Sequence, residues 1–330
     1  MRVGVVVAQD FWLHFRQIFA ALKLKHEVCV FQPRKWPYQA FSSRVNSKLL
    51  THDLSYFLKS NDVIVFEWAE EVFVQATHLL KTTPIVVRLH LHELWDFAPR
   101  VNWENVDRVI IVSHAMRRKL LERYPQLKDR THVIHNGIDL ERFYPQPRDF
   151  QGTLGTLSRL EPHKGIYELV CTFADLRVQG YDLKLKIGGG CTEPRYQRYA
   201  DELYLLVKRL GIEPYVTFDG YVEDTVTWCR DVDIFISNSC SEGLQVALLE
   251  AMACGCYTLS QRWDGADEVL PLENLYFTQR ELVDKIQKYV GISEAEKNIE
   301  RKNLRTLAVE RFDIKEKVRQ VTGIIEEVGG

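Results

Sequence analysis

The chain has 330 residues, more than a single hydrophobic core usually organises, so two domains are expected. Hydrophobic residues make up 46% and charged residues 27%, which excludes a disordered chain, and no apolar run approaches the roughly 18 residues that a bilayer span needs. The net charge of −2 divides unevenly, with 21 Lys and Arg against 15 Asp and Glu in residues 1–148 and 22 against 30 in the remainder, so the halves are expected to meet different partners.

The first apolar run, VGVVVA (3–8), is too short for a signal peptide and reads as a buried strand. A helix around 13–24 follows, and then strands at 27–32, 62–67, 84–90, 108–113 and 132–137, with a basic helix at 115–124 between the last two. Residues 139–152 carry Pro145, Pro147 and Gly152 without clear periodicity and read as a linker. The pattern restarts with strands at 152–160, 182–190, 215–222, 233–239 and 257–262, and helices at 166–179, 196–210 and 244–253. The tail, 294–328, is helical and heavily charged. Continuous apolar strands alternating with helices imply parallel sheets covered on both faces. The expected fold class is therefore α/β, with two Rossmann-like doubly wound domains at 1–148 and 149–312. ENLYFTQ (273–279) looks like a protease-tag remnant, but the extra Thr278 and its place inside the chain mark it as native.

The seven cysteines form no C-x-x-C pair, so neither a disulfide framework nor a zinc ribbon is expected, and a reducing cytoplasm fits. All ten histidines lie at or before His163. His90 ends a buried strand, where it could bond a sugar hydroxyl or polarise an acceptor, or could be structural. H-x-H-E (90–93) hints at metal ligands, but no further well-spaced cluster accompanies it, and no metal is expected. PRKWPYQAF (33–41), with Arg44 and Lys48, interleaves basic and aromatic residues and could contact an anionic acceptor or a membrane surface, but a solvated loop is the better reading. No nucleic-acid-binding motif is present, so no nucleic-acid partner is expected.

Three constellations in the second half carry chemistry. In SCSEGLQVALLEAMACG (239–255), Glu242 and Glu250 stand eight positions apart, roughly 12 Å if helical. Two carboxylates at that spacing could accept hydroxyl bonds at the two ends of an activated sugar, with Gly243 allowing close backbone approach. In SRLEPHKG (158–165), Arg159 and Lys164 flank a turn after the domain's first strand and could neutralise a diphosphate. Gly188, Gly189 and Gly190 follow a strand and could admit a phosphate or base, but without the G-x-G-x-x-G spacing of a dinucleotide site. Each feature alone is also met in ordinary loops and helices.

Together these segments resemble the retaining glycosyltransferases of family 4, which have the GT-B architecture. The motifs stand in family order: NGID (136–139), SRLEPHKG, IGGG (187–190), FDGYV (218–222), S-x-x-EG-x6-EAMACG and GADE (265–268). The resemblance implies two domains facing each other across a cleft, and a C-terminal helix at about 313–330 that packs back on the first. It implies that Arg159, Lys164 and Gly189 hold the donor diphosphate and its surroundings. Glu242, with the amides of Gly243 and Leu244, would hold the transferred sugar. Glu250 would bind the ribose, Val222 and Val246 would border the nucleoside, and His90 would point toward the sugar.

The implied reaction is metal-independent hexosyl transfer with retained configuration, from a nucleotide-diphosphate sugar to a glycan, lipid or small-molecule hydroxyl. The implied setting is cytoplasmic, at the inner membrane face where the acceptor is membrane-associated. Many relatives carry a glycine pair in the first loop, where this chain reads AQDFWLHF (8–15). The competing readings are a sugar-nucleotide epimerase of the same architecture and an inactive sugar-nucleotide-binding protein.

Overall fold

A computed structural model describes residues 1–7, 12–34 and 42–330. Residues 8–11 of the AQDFWLHF loop (8–15) and residues 35–41 of the basic–aromatic segment (33–41) lie outside the described residues. The chain divides into two compact units, Met1–Asn136 with Ile314–Gly330, and Gly137–Asp313.

The first unit holds a six-stranded sheet made of β1 (Arg2–Val7), β2 (Glu27–Val30), β3 (Val63–Glu67), β4 (Ile85–Leu89), β5 (Arg108–Ile111) and β6 (Thr131–Val133), in the order β2-β1-β3-β4-β5-β6. All neighbouring pairs are parallel. β3 and β4 are buried at every position because helices cover both faces, which is why they read as unbroken apolar runs. The connecting helices are α1 (Trp12–Lys25), α2 (Ser42–Lys59), α3 (Glu71–Thr77), α4 (Glu93–Asp96) and α5 (His114–Arg123). Ser113 caps α5 by accepting from the Met116 amide.

The second unit repeats the pattern with β7 (Thr153–Leu157), β8 (Lys184–Gly188), β9 (Val216–Gly220), β10 (Ile234–Ser237), β11 (Tyr257–Gln261) and β12 (Leu275–Tyr276). Their order is β12-β11-β10-β7-β8-β9, again all parallel. Strand order reverses between β7 and β10, and such a switch point leaves a crevice beyond the carboxyl ends of the strands. The unit's helices are α6 (Ile166–Val178), α7 (Gln197–Arg209), α8 (Thr225–Arg230), α9 (Val246–Ala253), α10 (Gln279–Gly291) and α11 (Glu294–Phe312). The helical tail is not continuous: it breaks at Asp313, where ψ is 121°, and α12 (Ile314–Gly329) then joins the first unit. Val321 and Ile325 of α12 are buried in one core cluster with Val3, Val5 and Phe15.

The chain divides at 136/137 rather than at 148/149, and the expected linker at 139–152 belongs to the second unit. Tertiary hydrogen bonds hold it there. The Ile138 amide donates to the Phe312 carbonyl at 2.7 Å, Arg305 donates to the Phe143 carbonyl at 2.7 Å, and Arg148 pairs with Asp233 at 3.0 Å. Prolines interrupt regular structure without freeing a chain whose carbonyls and cations are engaged. ENLYFTQ is likewise integral: Asn274 is buried and donates to the Thr258 carbonyl, and Tyr276 lies in β12.

Candidate functional site

Two turns converge at the switch point of the second sheet. The first runs from β7 through a short 3-10 turn, Pro162–Lys164, to Gly165 and α6. The second runs from β10 through residues 238–245 to α9. The Cys240 amide donates to the His163 carbonyl at 3.0 Å, and the Asn238 side-chain amide donates to the Gly165 carbonyl at 2.6 Å. Gly165 adopts φ +63°, and a Cβ there would collide with the Asn238 carbonyl, so only glycine lets the turns approach this closely. Asn238 in turn accepts from the Tyr276 hydroxyl at 2.7 Å and from Gln279 at 3.1 Å. Asn238, Tyr276 and Gln279 therefore set the site's shape, although no short motif marks them.

This framework brings Lys164 to Glu242, with Nζ and Oε1 2.6 Å apart and both side chains 12% exposed. Each charge offsets the other's loss of hydration. Arg159 sits at the rim with its side chain 53% exposed, pairing with buried Glu161 at 3.0 Å and with Glu193 at 3.6 Å. His163 also faces Glu161, at 3.4 Å. Partial burial, followed by the nearby Lys164 charge, pushes the His163 imidazole below its usual value.

Gly243 and Leu244 are buried beside Glu242, whereas α9 begins only at Val246, four residues after Glu242. Glu242 thus sits on an irregular loop, and the eight-residue helical spacing to Glu250 does not hold. Glu250 lies inside α9, half-buried. Burial pushes its carboxyl up to about 7, against the opposing attraction of Arg142. Val246 and Val222 are also half-buried. Gly189 has φ +106°, its Cβ position is blocked by the Ser158 carbonyl, and its amide donates to the Gly220 carbonyl at 2.6 Å. The glycine at 189 is therefore explained by backbone packing alone, and its N–H is already in use.

His90 directly follows β4 in the first unit and is 8% exposed. Its Nε2 lies 3.1 Å from Glu67 Oε1, which also accepts from Arg88 at 2.6 Å. A carboxylate shared with an arginine only accepts, so the His90 Nε2 carries the proton. Arg88 continues to Asn136 at 2.6 Å, tying in the first residue of the NGID motif. The His90 ring stacks on Trp68 with centroids 3.8 Å apart and planes 16° apart. Among the described residues Trp68 is the one non-glycine with positive φ, at 76°, a strained conformation of the kind that neighbouring contacts must hold in place. Glu93 accepts the amides of His90 at 2.8 Å and Ala69 at 2.7 Å, while full burial pushes its carboxyl well above the ordinary range. Sequence reading found His90, and Glu93 only as part of H-x-H-E, but not Glu67, Arg88 and Trp68.

Residues 5–142 match the family described as Glycosyltransferase Family 4, and residues 151–290 match the one described as Glycosyl transferases group 1. The chain belongs to the family-4 glycosyltransferases. Its fold class is GT-B, as the solved structures similar to it show. HepE from Anabaena superposes with a TM-score of 0.78 at 21% identity, covering 98% of this chain and 99% of that one. Sucrose-phosphate synthase from Thermosynechococcus elongatus gives 0.78 at 15% identity, covering 99% of both chains.

Among curated relatives, the gpi3 subunit of the Schizosaccharomyces pombe phosphatidylinositol N-acetylglucosaminyltransferase is 30% identical over 181 residues, 54% of this chain and 39% of the relative. Mannosylfructose-phosphate synthase of Agrobacterium fabrum is 31% identical over 172 residues, 48% of this chain and 38% of the relative. The matched segment thus spans about two fifths of these relatives. Among the described residues, no helix is long and apolar enough to cross a membrane.

Proposed function

We propose that the protein moves a hexosyl group, with retained configuration and without a metal ion, from a nucleoside-diphosphate sugar to a hydroxyl of a glycan, lipid or small molecule. The observation that carries this reading is the Lys164–Glu242 pair at the switch point of the second sheet. A cation suited to a diphosphate and a carboxylate suited to sugar hydroxyls stand in contact there, close to where phosphate and sugar are joined in such a donor. When the diphosphate reaches Lys164, it takes over the ammonium's charge-assisted bonds, and Glu242 is released to accept from the sugar.

In this reading Arg159 adds a second cation at the rim, and the amides of Gly243 and Leu244 support the sugar. Glu250 accepts from the ribose hydroxyls, while Val222 and Val246 border the nucleoside. Gly189 contributes shape rather than its amide. His90, held by Glu67 and Trp68, is the first unit's contribution to the reaction. The bond from the anomeric carbon to the diphosphate breaks as the bond to the acceptor oxygen forms on the same face. The acceptor proton passes to the departing phosphate oxygen, whose charge Lys164 and Arg159 stabilise.

The relatives support the donor class: HepE was solved in complex with UDP and glucose and with UDP-glucose. An acceptor at a membrane surface on the cytoplasmic side is part of the proposal, as is the absence of nucleic-acid partners. The test is thermal-shift screening against nucleoside diphosphates and their sugars, followed by product analysis by NMR with EDTA present. A donor that raises the melting point and yields a product of unchanged anomeric configuration is the expected result. Inverted product, epimerised donor without transfer, or activity abolished by EDTA and restored by Mg²⁺ or Mn²⁺ overturns it.

A further inference from the structure

A cavity of about 340 Å³ opens in the second unit at the end of α9 opposite Glu242. It is bounded by Pro145–Arg148, the end of α8, the α9 C-terminus at Cys254 and Gly255, and one side of α11. Its volume is in the range of small-molecule sites. Because α9 spans eight residues, this cavity and the Lys164–Glu242 pair lie beyond opposite ends of one helix.

Five cationic side chains line it: Arg148, Arg230, Arg301, Lys302 and Arg305. Two are matched by carboxylates, Arg148 by Asp233 at 3.0 Å and Arg301 by Glu294. Arg305 is spent on main-chain carbonyls, 2.7 Å from both Phe143 and Ala253. Arg230 donates from Nε to the Tyr144 carbonyl at 3.2 Å and lies over the Tyr144 ring at 4.1 Å, and its Nη2 has no hydrogen-bond partner among the described residues. Lys302 is exposed and has no ion pair among the described residues. Three cations without a carboxylate partner among the described residues therefore line one cavity, a concentration of like charge that an anion bound there would offset.

At the cavity wall the Cys254 thiol is held below its ordinary value, first by a hydrogen bond with Cys229 and then by the charges of Arg230 and Arg305, against burial and the nearby Glu250.

We propose that this cavity binds a small, multiply charged anion of the phosphate class, at a site separate from the sugar-donor site. Arg230 and Lys302 supply the charge-assisted bonds, and Arg305 holds the two strands of main chain that shape the mouth. A phosphorylated metabolite and free inorganic phosphate share this chemistry. The proposal does not depend on the transferase reading, since no donor-site residue lines the cavity.

The test is calorimetric titration of inorganic pyrophosphate into the full chain, into Lys164→Ala, and into Arg230→Gln/Lys302→Gln. Lys164→Ala is expected to retain one binding event that the double variant weakens at least tenfold, while the double variant keeps its affinity for nucleoside diphosphates. Lys302→Gln alone, on an exposed position of α11, covers the case in which Arg230→Gln lowers folding, and at least threefold weaker binding is expected. No binding by Lys164→Ala, or unchanged binding in the double variant and in Lys302→Gln, overturns the proposal. A follow-up with inorganic phosphate and a sugar phosphate separates the two sources: tighter binding of the sugar phosphate identifies a metabolite.

Discussion

The Lys164 ammonium lies 2.6 Å from the Glu242 carboxylate, although 78 positions separate them in the chain. The strand order places them there, because β7 and β10 are neighbours and each turn leaves the same edge of the sheet. Without donor, each of these poorly hydrated groups is the other's counter-ion, so changing one alters the state of the other.

Glu242→Ala is expected to fold and to lose transfer at least about 100-fold, the scale on which single polar contacts at a reacting centre act. The same variant frees Lys164, so the affinity for a nucleoside diphosphate lacking the sugar is expected to stay equal or to tighten. Turnover and calorimetry on one preparation check both halves. Wild-type turnover rules out a role for Glu242 in the reaction.

Removing the cations is expected to act on binding. Lys164→Ala should weaken nucleoside diphosphate binding by about 1.5–3 kcal/mol, the worth of a charge-assisted bond. Arg159→Ala should cost less, because its side chain is 53% exposed and already shared with Glu161 and Glu193. Equal affinity in wild type and both variants would falsify a diphosphate site at this turn.

Glu250 gives a pH dependence with a defined sign. Its carboxyl is pushed from 4.5 up to about 7 by burial, so the folded protein holds a proton that the unfolded chain has released. The resulting stabilisation is fully present below 4.5 and lost as pH rises through 7. Glu250→Gln lacks this loss, so it is expected to gain stability on wild type between pH 4.5 and 8, approaching about 3 kcal/mol at most. Ribose hydroxyls donate to the ionised form, so wild-type donor affinity should also rise as pH passes 7, more steeply than in the glutamine variant. Parallel pH profiles for the two proteins contradict both expectations.

His90→Ala is expected to lower kcat at least about tenfold while donor affinity changes less than threefold, as for a group that contributes to the reacting state rather than to donor binding. Arg88 still pairs with Glu67 when His90 is gone, so the buried carboxylate keeps a partner and the fold should survive. A loss confined to donor affinity, with kcat unchanged, places His90 in donor binding instead.

Much of the fold is legible in the sequence because its cause is local. VGVVV and VIVFE are continuous apolar runs, and a strand buried on both faces needs nothing else. Helix ends followed the same logic, as with α6, expected over 166–179 and found over Ile166–Val178. The order of NGID, SRLEPHKG, IGGG and EAMACG marked the family, since several short patterns in sequence carry more information than any one. What failed locally also has a cause. The helix expected from 244 starts at Val246, because Leu244 and Gln245 are buried in the turn that carries Glu242.

The sequence by itself determined that two parallel α/β layers form and that Arg159, Lys164, Glu242 and Glu250 stand on their connecting segments. Tertiary structure decided which of these meet: Lys164 with Glu242 across the switch point, and Arg159 at the rim with Glu161. It also decided that Asn238, Tyr276 and Gln279 knit the two turns, that Glu67 and Trp68 hold His90, and that 137–152 belongs to the second unit. The physical reason is range. Hydrophobic period and turn chemistry act over a few residues and survive in the linear string. Strand order and the pairing of buried charges join residues tens of positions apart and exist only once the sheet is assembled.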